Sequence, residues 1–417
     1  MVLPFSDVPY QFLPSRRSKL ICWLGSELNH RWILPKRHRV AEVEVVGLDR
    51  FRDSLRKGDR LMFTPNHPTH SDPQVMVETL RRLRVPSEFM TAWEVFVRGR
   101  IHRWLLPRIG CFSIDRWGLD SQAIKHASDV LRQGKNSLVV FPEGNVFLQN
   151  DLVSPFNEGA AFFALRTAKD VAESGKRVLI VPISIKFTYV ENVWDSVQHQ
   201  LRRTAEKIGV SLESNPCPLA HLRMIGFSGL RRNQKMRGLE MTSSEHPQEA
   251  ISHAVTGLLD RLEAKVELPP LADTTLLERV CRAQRSIQRV RSDPERKVDH
   301  AAAATWADEA LLAFKILSYL GDYVHRHPTL DRYAETVEKL NEDLHGETYP
   351  AHGNRKAYVQ IGEPIDLTNH LGVRLRDAVS RVTVTAQDAV QSGIDQINKT
   401  LKHAGSSLIA EPSFSGS

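Results

Sequence analysis

Between residues 42 and 190 the hydrophobic pattern switches repeatedly between two periods, and that alternation narrows the fold more than any other feature of the chain. Val43 and Val45 alternate in "EVEVVGL" (42–48), and "RLMFTPN" (60–66) is an apolar run that ends in turn residues. "PQVMVETLRRL", from Pro73, then takes helical spacing. "GCFSIDR" (110–116) reads as strand, "SQAIKHASDVLRQG" (121–134) as helix, and "NSLVVFPEG" (136–144) as a buried strand ending in a loop. A helix over about 157–173 and a further strand in "KRVLIVPISIKF" (176–187) complete the series. Strands separated by helices pair in parallel and need both faces covered, so the pattern predicts an α/β fold with a mostly parallel central sheet flanked by helices.

The period then changes. From 191 to 349 it is mainly helical, as in "ISHAVTGLLDRLEAKV", "TTLLERVCRAQRSIQRV", "TWADEALLAFKILSYLGDYV" and "TLDRYAETVEKLNEDL". In the second of these Leu276, Val280, Ala283, Ile287 and Val290 make an apolar stripe, leaving Arg282, Arg285 and Arg289 on a face read as solvated. "KAYVQIGEPIDL" (356–367) returns to strand, followed by a helix from about 372 to 402. The organisation expected is a basic amphipathic segment (1–41), an α/β domain in two pieces (42–190 and 350–403), a large mainly helical insertion (191–349), and a Gly/Ser-rich disordered tail (404–417).

The four cysteines, Cys22, Cys111, Cys217 and Cys281, form no C-x-x-C pair, and no histidine cluster has zinc spacing, so neither a disulfide frame nor a metal is expected. A net charge of +7 favours acidic partners such as anionic lipid, phosphorylated molecules or an acidic carrier protein. Nucleic acid is not expected, because the basic balance comes without aromatic stacking platforms or a recognisable binding motif. No apolar run approaches the roughly 20 residues that span a bilayer, so any membrane contact is expected to be peripheral; the location expected is cytoplasmic, on the cytosolic membrane face. Within residues 16–39, Leu20, Trp23, Leu24, Leu28 and Trp32 recur at helical spacing between basic clusters. Such a helix suits an anionic membrane interface, and equally suits a first helix packed on the domain core.

Two histidines and an aspartate stand together in "TPNHPTHSDPQ" (64–74). Five positions along a regular helix would turn His67 and Asp72 about 140° apart, so the two meet only if Pro-Thr-His-Ser is a turn. In that case a carboxylate on one ring nitrogen leaves the other to take a proton from a hydroxyl. The same residues also make an ordinary helix start, with an acid before proline. "RHPTLD" (326–331), with His327 and Asp331 one residue closer together, is read as a cap only. Arg116 follows the strand in "GCFSIDR", and Glu143 and Gly144 end the strand in "NSLVVFPEG". Strand ends of a parallel sheet share a crevice, where an arginine can clamp a phosphate and a glycine lets backbone N–H groups approach an anion. Taken singly, Arg116 reads as well as a surface ion pair and "PEG" as an ordinary turn.

The ordered set resembles the glycerolipid acyltransferases, which include the 1-acylglycerol-3-phosphate and glycerol-3-phosphate acyltransferases. His67 and Asp72 fit the family's His-x4-Asp block, "GCFSIDR" the second block, "FPEG" (141–144) the third, and "IVPISI" (180–185, with Pro182) the fourth. The resemblance implies an O-acyltransferase of phospholipid biosynthesis. It makes His67 the general base, Asp72 its orienting acid, and Arg116, Glu143 and Gly144 the residues that hold the acceptor. The acceptor implied is a glycerol-phosphate-like molecule or lysophospholipid; acyl-CoA or acyl carrier protein enters as co-substrate, with no bound cofactor or metal. The third block departs from the family's "FPEGTRS" by reading "FPEGNVF", with Asn145 and Val146 in place of Thr and Arg. One cationic contact is missing there, which implies an unusual acceptor or another basic residue in its stead. The alternative is a non-catalytic lipid- or acyl-carrier-binding protein on the same scaffold. The insertion has the length to line an acyl tunnel, dock a carrier, mediate oligomerisation or touch membrane.

Overall fold

A computed structural model describes residues 8–50, 57–118, 120–212, 217–269, 271, 273–292 and 299–409. It divides into two compact units, one of Tyr10–Asn192 with Pro350–Ser407 and one built on Val193–Tyr349.

The first unit is α/β. Its eight-stranded mixed sheet runs in the order β1 (Val40–Val46), β7 (Arg355–Ile361), β6 (Val178–Tyr189), β2 (Arg60–Pro65), β5 (Ser137–Val139), β3 (Ser87–Ala92), β4 (Cys111–Ile114), with β8 (Ile365–Asp366) paired to β6. Pairing is parallel throughout except where β6 meets β7 and β8. All twelve residues of β6 are buried, which is why that strand reads in the sequence as an unbroken apolar run. β2 shows the two-residue period: Leu61 and Phe63 enter one core with Val75, Met76 and Leu80 of α2 (Asp72–Leu83). Met62 enters the other, with Ala127 and Leu131 of α5 (Ser121–Gln133), Ala164 and Ala168 of α6 (Gly159–Ala172), and Val382 and Ile394 of α14 (Leu375–Thr400). Burial on both faces is the α/β layering the alternation predicts.

β3 is an addition to the expected strands. "SEFMTA" lacks alternation and has Thr91 as its one β-branched side chain, and it becomes a strand because β5 and β4 supply ladders on its two sides. It leads into two short helices, α3 (Trp93–Phe96) and α4 (Arg100–Arg108).

The N-terminal amphipathic segment forms α1 (Lys19–Leu28), continued by a π-helical stretch (Asn29–Arg37) containing Pro35. Its apolar stripe faces outward: Leu20 is 64% exposed, and Trp23, Leu24, Leu28 and Trp32 are each more than half exposed. The reading of this helix as packed on the core through its stripe therefore fails. The inner face is made instead by residues such as Cys22, whose Sγ lies 3.5 Å from the Arg108 carbonyl, and Gly25, beside Ile109.

The second unit is helical: α7 (Trp194–Lys207), α8 (Pro218–Met236), α9 (Pro247–Lys265), α10 (Leu276–Ser292), α11 (His300–Leu317), α12 (Tyr323–Arg326) and α13 (Leu330–His345). Leu262, Ile287, Ala307 and Ala310 of three consecutive helices share one core. The run "TWADEALLAFKILSYLGDYV" is broken after Leu317, with Gly321 before the short α12. In "RHPTLD" the cap is Thr329, whose side chain accepts from the Arg332 N–H. The tail expected over 404–417 begins with a 3₁₀ turn (Ala404–Ser406); residues 410–417 lie outside those described.

Candidate active site

β2 ends where its ladder to β6 is taken over by a side chain. Asn66 donates from Nδ2 to the Ile185 carbonyl at 2.9 Å and accepts the Ile185 N–H on Oδ1 at 2.7 Å, imitating one more backbone rung. The backbone, released from pairing, turns through Pro68 and Thr69 into α2. Thr69 donates its N–H to Asp72 Oδ2 (2.9 Å) and its hydroxyl to Asp72 Oδ1 (2.8 Å), and its Oγ1 accepts the Ser71 N–H at 3.1 Å. This is the turn that brings residues 67 and 72 together: His67 Nδ1 lies 2.8 Å from Asp72 Oδ2. Asp72 is fully buried, whereas the His67 side chain keeps 16% of its surface exposed. The imidazole rests on the Phe141 ring, centroids 4.3 Å apart. Since the carboxylate can only accept, the Nδ1–Asp72 contact fixes the proton on Nδ1 and leaves the Nε2 lone pair as the basic position.

Asp72 is also the first residue of α2, but Ser71, at the cap position, makes no capping bond to the helix. Its hydroxyl instead meets His38 Nδ1 (3.2 Å) and accepts from Arg355 Nη2 (3.0 Å). The aspartate is thus drawn to the histidine and the serine to a group from β7.

Glu143 reaches the same turn from the loop that follows β5. Its Oε1 accepts the His67 N–H at 2.7 Å and its Oε2 the Ser154 N–H at 3.2 Å. Burial pushes its pKa up to about 8, outweighing those two bonds, and the Asp72 charge acts in the same direction. Glu143 ties the third block to the histidine's own backbone. Gly144 takes a φ of +72°, which a side chain would strain, and donates its N–H to the Phe141 carbonyl at 3.0 Å. Its amide closes the turn, and its carbonyl accepts from Arg116 Nη1 at 3.0 Å.

Arg116 also donates to Asn145 Oδ1 (2.5 Å) and to Glu94 Oε1 (3.1 Å), and lies over the Trp117 ring at 5.0 Å. Glu94, on α3, accepts from Trp117 Nε1 as well. Asp115 stands nearby with its pKa raised, by burial first and then by Glu94 and Asp120. His67, Asp72, Glu143, Gly144 and Arg116 therefore form one connected group, as strand ends of a common sheet. Asn66, Thr69 and Glu94 were not singled out from sequence. The Asn after "TP" and the Thr at the centre of "HPTHSD" were the available signals for the first two; nothing local to Glu94 marks it.

Residues 42–186, which carry this turn, Arg116 and the Glu143 loop, match the family model described as Acyltransferase. The match supports an acyltransferase domain in that stretch and a general acyltransferase function. No curated protein was found to match the chain.

Proposed function

We propose that the protein is a thioester-dependent O-acyltransferase in which His67 is the general base. The observation that carries this reading is the 2.8 Å contact between His67 Nδ1 and buried Asp72. The acceptor hydroxyl gives its proton to Nε2 as its oxygen attacks the thioester carbonyl carbon. Collapse of the tetrahedral intermediate breaks the C–S bond, and the imidazolium returns the proton to the leaving thiolate. Asp72 holds the ring orientation and balances the imidazolium. The donor is acyl-CoA or acyl carrier protein, and the acceptor a glycerol-phosphate-like molecule or lysophospholipid, as in phospholipid biosynthesis.

The protein acts at an anionic membrane on the cytosolic face. Supporting this, α1 and α4 adjoin through Ser18 N–H to the Arg108 carbonyl and Arg16 N–H to the Pro107 carbonyl. Ile101 (75% exposed) and Trp104 of α4 join the outward residues of α1. Arg16, Lys19, Arg31, Arg100, Arg103 and Arg108 stand along these elements, a mix of tryptophan, aliphatic and cationic side chains that fits the lipid headgroup boundary. Among the described residues no helix is long and apolar enough to cross a membrane.

The test is His67→Ala in a radiolabelled acyl-transfer assay with lysophosphatidate and glycerol 3-phosphate. Transfer is expected to disappear while the protein stays folded. Undiminished transfer rejects the base; a parent protein that retains acyl chains and transfers none supports the binding-protein alternative.

A further inference from the structure

The turn that holds His67 has two flanks of opposite electrical character. On the Arg116 side the arginine is engaged by Glu94, Asn145 and the Gly144 carbonyl, and Asp115 and Asp120 lie close by. A phosphate there would displace a carboxylate and meet two more.

On the Ser71 side cationic and imidazole groups gather, with the Glu191 carboxylate beyond them accepting the Asn354 N–H at 2.7 Å. Arg355 opens β7 between Val40 of β1 and Tyr189 of β6, with its guanidinium over the Phe187 ring at 5.1 Å. It is 8% exposed. Its Nη2 donates to Ser71 Oγ and to the His38 carbonyl, each at 3.0 Å, and its buried Nε has no acceptor among the described residues. It forms no ion pair with a described carboxylate. Exposed Arg39 joins it, with Nη1 donating to the His352 carbonyl at 3.4 Å. Half-buried His38 and His352 complete the group, both pushed down to about 4, by burial first and then by Arg355, with Arg37 and His70 adding at His38 and Arg39 at His352. The Arg355 guanidinium thus acts on both imidazoles. A buried guanidinium is ordinarily matched by an anion, and here no carboxylate among the described residues matches it.

We propose that Arg355, Arg39, His38 and His352, gathered at Ser71, form the site that binds a phosphate of the substrate. A phosphate oxygen accepts from Arg355 Nε and from the Arg39 guanidinium, and the imidazoles become donors as the anion arrives. Ser71 belongs to the same short turn as His67, so a phosphate held here leaves the rest of its molecule beside the base. The role assigned to the phosphate rests on the acyl-transfer reading; the anion site itself does not. It also answers the missing cation of the third block: the positive charge lies across the turn.

The experiment is calorimetric titration of the full-length protein with inorganic phosphate, comparing the parent with Arg39→Gln and His38→Gln. Arg355→Lys, checked for folding by circular dichroism, is a third variant. Phosphate is expected to bind the parent and to bind each folded variant about tenfold more weakly or worse, as for loss of one charge-assisted hydrogen bond. No binding to the parent, binding unchanged in all variants, or binding abolished by Arg116→Gln alone overturns the proposal. Kinetics with Arg39→Gln separate the phosphate's source. A raised KM for lysophosphatidate places the acceptor headgroup at the site, and a raised KM for acyl-CoA places the coenzyme's phosphate there. An unchanged KM for both overturns the substrate role. If the parent transfers no acyl group but binds phosphate through Arg39 and His38, the acyl-transfer reading fails and the anion site stands.

Discussion

Replacing Asp72 by asparagine removes a charge while keeping nearly the same shape, and the structure determines how the amide would sit. Both carboxylate oxygens only accept: Oδ2 from His67 Nδ1 and the Thr69 N–H, Oδ1 from the Thr69 hydroxyl. An NH2 in the Oδ2 position would face two donors. In the Oδ1 position it faces a hydroxyl that can rotate and accept, so the amide oxygen stays on His67 Nδ1. The ring keeps its tautomer, and what is lost is the negative charge opposite the imidazolium formed during transfer. For charge centres about 4 Å apart at an effective dielectric near 20, that interaction is about 4 kcal/mol, or about a thousandfold in rate. Folding stability is expected to fall by about 1–3 kcal/mol, since one hydrogen bond must rearrange in a fully buried site. The assay is kcat for acyl transfer under saturating donor, with urea unfolding run in parallel. A folded Asp72→Asn protein within about tenfold of the parent kcat would refute formation of an imidazolium paired to Asp72.

Three further outcomes follow from named contacts. Glu143 has a folded pKa near 8, above its unfolded value, so between the usual carboxylate range and pH 8 the folded state binds the extra proton and stability falls as pH rises. Glu143→Gln should remove that slope in melting temperature against pH, and parallel curves for the two proteins would contradict it. Buried Lys186 pairs with buried Asp151, which also accepts from Asn398 Nδ2 at 3.0 Å. Lys186→Met removes the cation from a buried carboxylate and should lower stability by about 3–5 kcal/mol in denaturant unfolding; a change under about 1 kcal/mol would show that the pair is not buried. Trp23→Glu with Trp104→Glu should abolish co-flotation with phosphatidylglycerol vesicles while leaving thermal stability unchanged, since both indoles are more than half exposed. Retained flotation would place the lipid contact elsewhere.

The α/β class was legible because strands covered on both faces have no solvent side to interrupt their apolar runs, as β6 shows over its whole length. β3 was not, because "SEFMTA" owes its state to the neighbours that pair with it. The turn at 67–72 was legible as a choice between a base and a helix start. Thr69 and Glu143 decide the geometry, the first by bonding Asp72 twice and the second by gripping the His67 N–H from 76 residues away.

What the sequence determined by itself was periodicity and residue chemistry: the layers of the α/β unit, the helical character of 191–349, and the order of the residues that meet at His67. Tertiary structure alone decided direction and partnership. A helical period specifies that α1 has an apolar stripe, but which way it faces depends on what packs beneath the helix, and here Leu20, Trp23 and Leu24 face out. Charge works the same way. Arg116 and Arg355 carry identical groups, yet one is engaged by Glu94 and Asn145 and the other, among the described residues, by a hydroxyl and a carbonyl. That difference arises from chain segments far apart in sequence, brought within hydrogen-bonding range only by the sheet.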